Sequence, residues 1–182
     1  MKATGIVRKI DDLGRIVIPK EIRRTMRLSE GTPLEIFTDR EGGVILKKYS
    51  PMADLGNFAR QYAESLASSL NRKAAVCDRD QFIAAAGGGK KDLLGKPISR
   101  ELEELIVNRE TSGRPGKGDP MIPLTEGDDS GYSAQVIYPI LAEGDSAGAV
   151  ILYSREPQAG FSESEQKAAA CAALFLGSQM EG

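Results

Sequence analysis

The sequence predicts an α+β chain built in two parts, and three observations point to it. The first fifty residues alternate short β-branched runs with one short helix, in the order strand, strand, helix, strand, strand. The remainder gives the order helix, two strands, helix, short strand, long hairpin, helix, which suits an antiparallel sheet flanked by helices. Charge divides at the same place. Residues 1–50 hold eleven Lys/Arg against seven Asp/Glu, a balance of +4, and residues 51–182 hold thirteen against nineteen, a balance of −6. A basic segment joined to an acidic one suggests a binding part and a regulatory part. The expected division is 1–50 as head, 51–70 as a connecting helix and 71–182 as tail.

Within the head, Ala3 to Ile10 reads as a strand through Thr4, Ile6, Val7 and Ile10. Asp11-Asp12-Leu13-Gly14 is a turn, and Arg15 to Ile18 is a second strand. Pro19 ends that strand and can open a helix from its first position. Ser29 to Pro33 breaks the helix, and Leu34–Thr38 and Gly43–Lys48 form a hairpin across Asp39-Arg40-Glu41-Gly42.

The helix after Pro19 is basic on one side. With about 100° per residue, Lys20, Arg23, Arg24 and Arg27 fall within roughly a 100° arc, and Ile22 and Met26 lie opposite. Four cations on one stripe repel one another unless an anion faces them, and nucleic-acid phosphate is the natural candidate. The competing reading is a solvated basic face, with Asp11, Asp12 and Glu21 neutralising part of it. A fifty-residue unit with neither disulfide nor metal buries little surface, so a homodimer is expected, strands of two chains completing one core.

The run T-G-I-V-R-K-I-D-D-L-G-R-I-V-I-P-K-E-I-R-R, closing with L-E-I-F and V-I-L-K-K-Y, resembles the DNA-binding domain of AbrB-type transition-state regulators over residues 1 to about 50. The resemblance implies an intertwined dimeric swapped-hairpin β-barrel with a short helix, binding double-stranded DNA. It assigns DNA contact to Arg8, Arg15, Arg23 and Arg24; Lys9 stands in the same cluster, and Lys20 and Arg27 join from the helical stripe.

In the tail, Pro51 disfavours helix at Ser50, and residues 53–70 then repeat Leu55, Phe58, Tyr62, Leu66 and Leu70 at helical spacing. This helix can be a core layer of the tail or a dimer-forming connector. Ala74–Asp78 and Gln81–Ala86 form a hairpin, and Gly87-Gly88-Gly89-Lys90-Lys91 lacks the Walker spacing and reads as a loop. Ser99 caps a helix to about Asn108, Thr111–Asp119 is loop, and Met121–Leu124 is a short edge strand between Pro120 and Pro123. Tyr132–Leu141 and Ala147–Ser154 pair across Glu143-Gly144-Asp145, and the capping box Ser162 to Glu165 opens a last helix to about Met180. That helix is apolar nearly all round from Ala168 to Leu176, so it should pack on the sheet and on another subunit, giving a homotetramer through the C-terminal helices.

The order of tail elements, with the phrase V-I-Y-P-I-L-A-E-G-D-S-A-G-A-V-I-L-Y-S, resembles a GAF domain; a PAS domain is the competing topology. The GAF resemblance implies a place for a small-molecule effector between sheet and helices, although no residue pattern identifies one. Composition narrows the chemistry. With no histidine there is no Ser-His-Asp or Cys-His nucleophile and no imidazole metal ligand. Cys77 and Cys171 lie in apolar surroundings and are expected to be buried free thiols of a reducing compartment. No cofactor and no metal are called for, and no apolar run approaches the ~20 residues a bilayer demands. No signal core follows Met1, so a cytoplasmic protein with no membrane partner is expected. The leading reading is a DNA-binding transcriptional regulator, activator or repressor, and not an enzyme. The alternatives are an antitoxin-type regulator and a GAF-type thiol enzyme using Cys77.

Overall fold

The computed structural model describes residues 4–49, 56–88, 90–113, 120–128, 131–157 and 159–181. The boundary at Ser50-Pro51, Leu55, Gly89 and the stretch 114–119 of the expected loop lie outside the described residues. The chain divides into two compact units, Met1–Tyr49 and Ser50–Gly182.

In the head, helix α1 spans Lys20–Thr25, and strands β1 (Leu34–Thr38) and β2 (Val44–Lys48) pair antiparallel, Leu34 opposite Lys48 and Thr38 opposite Val44. Asp39 builds the turn between them. Its Oδ1 accepts the backbone N–H of Glu41 at 2.9 Å and of Gly43 at 2.7 Å. The two strands expected over Ala3–Ile10 and Arg15–Ile18 do not form in the single chain: residues 4–18 carry no strand, and the head closes no barrel. A strand needs a ladder partner, and the chain's own hairpin gives this segment none. Its apolar side chains stand in the open, Val7 83% and Val17 72% exposed. No residue from 4 to 49 is buried.

The tail is a four-stranded antiparallel sheet, in the order β4-β3-β6-β5, with helices on both faces. The strands are β3 (Lys73–Asp78), β4 (Phe82–Ala86), β5 (Ala134–Ala142) and β6 (Asp145–Ser154). Helices α2 (Gly56–Leu70) and α5 (Glu163–Ser178) cover one face, packing Ala59, Ala63, Leu66, Ala172 and Leu176 on Val76, Val136, Val150 and Leu152. Thus α2 is a core layer of the tail. The short α3 (Lys90–Leu93) and α4 (Arg100–Val107) cover the other face, with Leu93, Leu102 and Ile106 on Cys77, Ile137, Ile151 and Tyr153. Successive side chains of β6 therefore alternate between two apolar layers, which is why the strand reads as the unbroken run A-V-I-L-Y rather than as apolar-polar alternation.

Caps and turns follow the sequence. Ser99 Oγ accepts the Leu102 N–H at 3.1 Å, and Ser162 with Glu165 makes the full capping box. The β5–β6 turn is tight because Glu143 and Gly144 both adopt the left-handed conformation, φ 49° and 84°. Gly177 lets α5 approach β5 closely, since a Cβ there would lie 2.1 Å from the Leu141 carbonyl oxygen.

Three expectations for the tail are corrected. The glycine-lysine stretch is not all loop, because Lys90 and Lys91 open α3, whose Leu93 is an apolar anchor in the core layer between α3, α4 and the sheet. Met121–Leu124 is not an edge strand. The amide of buried Gln135 takes the place of a partner strand, accepting from Ile122 N–H at 2.9 Å and donating to Ile122 O at 2.6 Å. The prolines at 120 and 123 have no N–H to offer a ladder. Finally, Cys77 is buried but Cys171 is exposed on α5, beside Leu174 at 76% exposure.

Candidate nucleic-acid interface

The head's cations are arranged by two local devices. The first is the turn after residue 10. Asp11 Oδ1 accepts the N–H of Leu13 at 3.0 Å and of Arg15 at 2.7 Å, while Asp11 N–H donates to Arg15 O at 3.0 Å. Gly14 completes the turn at φ 76°, where a Cβ would be strained. The other carboxylate oxygen, Oδ2, accepts from Arg15 Nε at 2.8 Å. The backbone N–H and then the guanidinium of Arg15 hold the Asp11 carboxyl below its ordinary value, so it is ionised at neutral pH.

The second device is α1 itself. Lys20 opens it, and Arg23 and Arg24 stand in its last turn, where cations suit the helix dipole. All three are exposed, and among the described residues none of them stands in an ion pair. The helix ends sooner than the stripe argument requires. Met26 is its C-cap, and Arg27 takes the left-handed conformation at φ 50°. Leu28 N–H then donates to Arg23 O at 2.7 Å and Arg27 N–H to Arg24 O at 3.3 Å, a Schellman closure with arginine where glycine is usual. Arg27 is therefore half-buried beyond the helix and does not continue the row of Lys20, Arg23 and Arg24. Arg8 and Lys9 are exposed in the unpaired segment, Arg8 donating from Nη1 to Val7 O at 3.1 Å. The structure thus groups Lys20, Arg23 and Arg24 on one helix, and Arg8, Lys9 and Arg15 about the Asp11 turn.

In the tail, Arg72, Arg100 and Arg155 each stand in an ion pair with a carboxylate. The tail has one unusual polar site at the C-terminal end of β6. The Tyr153 hydroxyl is buried and is the one buried side-chain polar atom without a hydrogen-bond partner among the described residues. Burial pushes its phenol well above the ordinary value. Tyr132 packs edge-on against it at 5.7 Å, and the Arg155 guanidinium lies 5.1 Å from the Tyr132 ring centroid. Cys77 lies within β3, and burial pushes its thiol far up. Among the described residues no group of His, Cys, Asp and Glu is placed to hold a metal, and no helix is long and apolar enough to cross a membrane.

A basic, incompletely buried head is thus followed by an antiparallel sheet covered on both faces by helices, the arrangement of a binding part joined to a folded second part. Comparison with known proteins specifies it. Residues 54–181 match a family model described as Stage V sporulation protein T C-terminal, transcription factor, and residues 7–54 one described as Antidote-toxin recognition MazE, bacterial antitoxin. The chain is 51% identical over 181 residues to Stage V sporulation protein T of Bacillus subtilis (strain 168), covering 100% of this chain and 99% of that one. Its head is 61% identical over 51 residues to Transition state regulatory protein AbrB of the same strain, 28% of this chain and 52% of that protein. Its tail superimposes on the GAF domain from Acinetobacter phosphoenolpyruvate-protein phosphotransferase with a TM-score of 0.54, at 11% identity, over 74% of this chain and 84% of that one. At that identity the likeness speaks for the fold alone. The chain belongs to the stage V sporulation protein T family and is a sporulation transcription regulator. The antitoxin-type reading is not favoured, since the antitoxin model stops at the head and the folded tail belongs to a transcription-factor family.

Proposed function

We propose that the chain binds double-stranded DNA as a homodimer joined through its heads, and that its tails join dimers into a homotetramer. The observation that carries this is the head's lack of any buried residue between 4 and 49, with Val7, Ile10, Leu13 and Val17 each more than 60% exposed. A second copy pairing with residues 4–18 would bury these side chains and satisfy their backbone groups, and would set two copies of α1 in a symmetric pair. Arg8, Lys9, Arg15, Lys20, Arg23, Arg24 and Arg27 are the proposed DNA-contacting residues. Phosphate neutralisation supplies affinity and arginines reaching base edges supply selectivity. In this reading residues 51–70 link the 1–50 DNA-binding head to the 71–182 regulatory region and, through α2, also supply a core layer of that tail, in the cytoplasm. The outward side of α5, with Cys171 and Leu174, is the surface a neighbouring tail covers. Cys77, sealed in β3 and held as a thiol, gives no support to an enzyme.

The test is Arg23→Ala with Arg24→Ala in the full chain. Two lost phosphate contacts per chain, four per dimer, should weaken operator binding by more than roughly 100-fold and flatten its salt dependence. The circular dichroism spectrum should stay unchanged. A double variant that binds DNA as the parent does would overturn the assignment.

The unpartnered Tyr153 hydroxyl favours a regulatory reading of the tail as well: a small effector donating to or accepting from it, beside Arg155. Tyr153→Phe should leave the unfolding temperature unchanged or raise it, and should remove any thermal shift that a metabolite fraction gives the parent. A shift surviving in Tyr153→Phe would exclude this residue.

A further inference from the structure

The chain contains two turns made by the same device, and they differ in one respect. In each, an aspartate Oδ1 takes the backbone N–H groups two and four residues on: Leu13 and Arg15 for Asp11, Glu41 and Gly43 for Asp39. Both sets of bonds lie between 2.7 and 3.0 Å, so the turn itself uses only one side-chain oxygen. Asparagine can supply that oxygen with the same geometry, as a neutral acceptor. At the fourth position the second turn has Gly43, with no side chain to bind, whereas the first has Arg15. There Asp11 Oδ2 is engaged by the guanidinium through Nε at 2.8 Å, although the Arg15 side chain is 68% exposed. The second oxygen of Asp11 is thus engaged by the Arg15 side chain and not by the turn, while its charge is shared between the turn's N–H groups and the guanidinium.

That arrangement has a cost for a surface meant to meet phosphate, because a carboxylate repels the DNA backbone. It also has a consequence for Arg15. With Nε tied, the guanidinium faces outward with its Nη1 and Nη2 groups, which donate to no other group among the described residues. Two parallel N–H donors held by a fixed fork match the O6 and N7 acceptors of guanine in the major groove. A neighbouring carboxylate cancels much of the attraction such an arginine would otherwise show to any phosphate.

We infer that Asp11 is a specificity-determining positioning residue: it fixes Arg15 as a reader of bases and prevents it from acting as an indiscriminate phosphate clamp. The inference rests on the proposed DNA-binding role of the head. It assigns Arg15 to selectivity, whereas Arg23 and Arg24 on α1 serve affinity.

The experiment uses the full chain, a duplex selected by the parent protein from a random-sequence pool, and a scrambled duplex of equal length and composition. Asp11→Asn keeps both backbone bonds of the turn, so circular dichroism and the unfolding temperature should hold. The expected result is tighter binding to the scrambled duplex and a salt dependence steeper by about one ion per Arg15 released. The preference for the selected duplex should fall on the order of tenfold, the discrimination of one bidentate arginine–guanine pair. Arg15→Lys, which keeps the charge but loses the fork, should lose a similar preference, and adding Asp11→Asn to it should change the preference no further. An Asp11→Asn protein whose preference stays within twofold of the parent overturns the inference. So does an equal drop on the Arg15→Lys background, which would show that Asp11 acts elsewhere. Should Asp11→Asn fail to fold, Arg15→Lys decides alone: retained preference there overturns the inference. A parent protein that enriches no duplex overturns the DNA-binding reading together with this one, whereas normal enrichment with an unaltered Asp11→Asn preference overturns this one only.

Discussion

The head and tail solve the same problem in opposite ways. In the tail, each strand has neighbours, and the sheet is covered on both faces by Ala, Val, Ile and Leu side chains that are almost wholly excluded from water. Its polar interior atoms are nearly all answered, as the Gln135 amide shows in pairing with both backbone groups of Ile122. In the head, β1 and β2 pair only with each other, and residues 4–18, apart from the local bonds of the Asp11 turn, form no strand ladder and leave most of their apolar side chains exposed. The difference teaches that β-branched, strand-like sequence does not make a strand by itself. The tail's runs find partners within the chain; the head's matching runs over residues 4–18 find none there.

The sharpest way to break this comparison is Val17→Asp. At a site 72% exposed, a substitution in a self-contained domain changes stability by no more than about 0.5 kcal/mol. If a second chain covers Val17, the same change places a carboxylate in a shared core, where an unpaired charge costs several kcal/mol or more. The head dimer should then dissociate at micromolar concentration and DNA binding should be lost. Sedimentation of the variant at the parent's mass, with DNA binding intact, would show that the head's apolar surface is not an interface.

The tail's counterpart is Leu102→Ala. Leu102 is fully buried on α4 against β3 and β6 side chains, and its truncation should cost about 2–5 kcal/mol in denaturant unfolding. DNA binding at 25 °C should survive as long as the tail stays folded. A loss below 1 kcal/mol would mean that the face covered by α3 and α4 is loosely packed.

How much of this was legible in the sequence follows the same line between local and distant causes. Ser99, the Ser162–Glu165 capping box, the Glu143-Gly144 turn and the basic row Lys20, Arg23, Arg24 depend on residues within four positions, and all could be read directly. The Gln135 amide acting as a strand for Ile122 depends on a pairing thirteen residues apart, and no local pattern announces it. On α5 a nearly all-apolar run gave no face to choose, so Cys171 could not be told from its buried neighbours Ala172 and Ala173. Arg27 was misplaced by a different cause. Helical periodicity carries on past Thr25 in the sequence, and the left-handed closure at an arginine has no glycine to mark it. The charge of Asp11 was visible, but its division between turn and guanidinium is a matter of two oxygens and needs coordinates.

Ser99→Ala is a smaller perturbation and isolates one of those local causes. Ser99 Oγ accepts from Leu102 N–H at 3.1 Å and donates to Pro123 O at 2.6 Å, so one hydroxyl both caps α4 and holds the segment beside it. Loss of the cap should cost about 1–2 kcal/mol, and Ser99→Gly should not rescue the Pro123 contact. Equal stability of Ser99→Ala and parent in denaturant would remove the cap from the account.

The smallest effect concerns pH, and it separates the two units again. Burial raises the Glu165 carboxyl, but hydrogen bonds from Arg72 and from Ser162 outweigh it and hold the group below its ordinary value of 4.5. The Arg72 Nε to Glu165 Oε1 distance is 2.7 Å, with the carboxylate side chain 13% exposed. A folded-state value below the unfolded one means that the unfolded chain binds the proton more readily. This contribution to tail stability is therefore complete above about pH 4.5 and is lost as pH falls through the folded value. Glu165→Gln keeps an oxygen for Arg72 and Ser162 but no charge, so its unfolding temperature should lie below the parent's at pH 7 and approach it toward pH 3. The Asp11 carboxyl is lowered too, but it lies on the exposed surface of the head, and the surrounding water screens its ion pair. Asp11→Asn should accordingly leave the acid end of the unfolding profile where Glu165→Gln moves it. A parallel shift from both substitutions would show that the head's turn, and not only the tail's helix cap, carries part of the chain's acid stability.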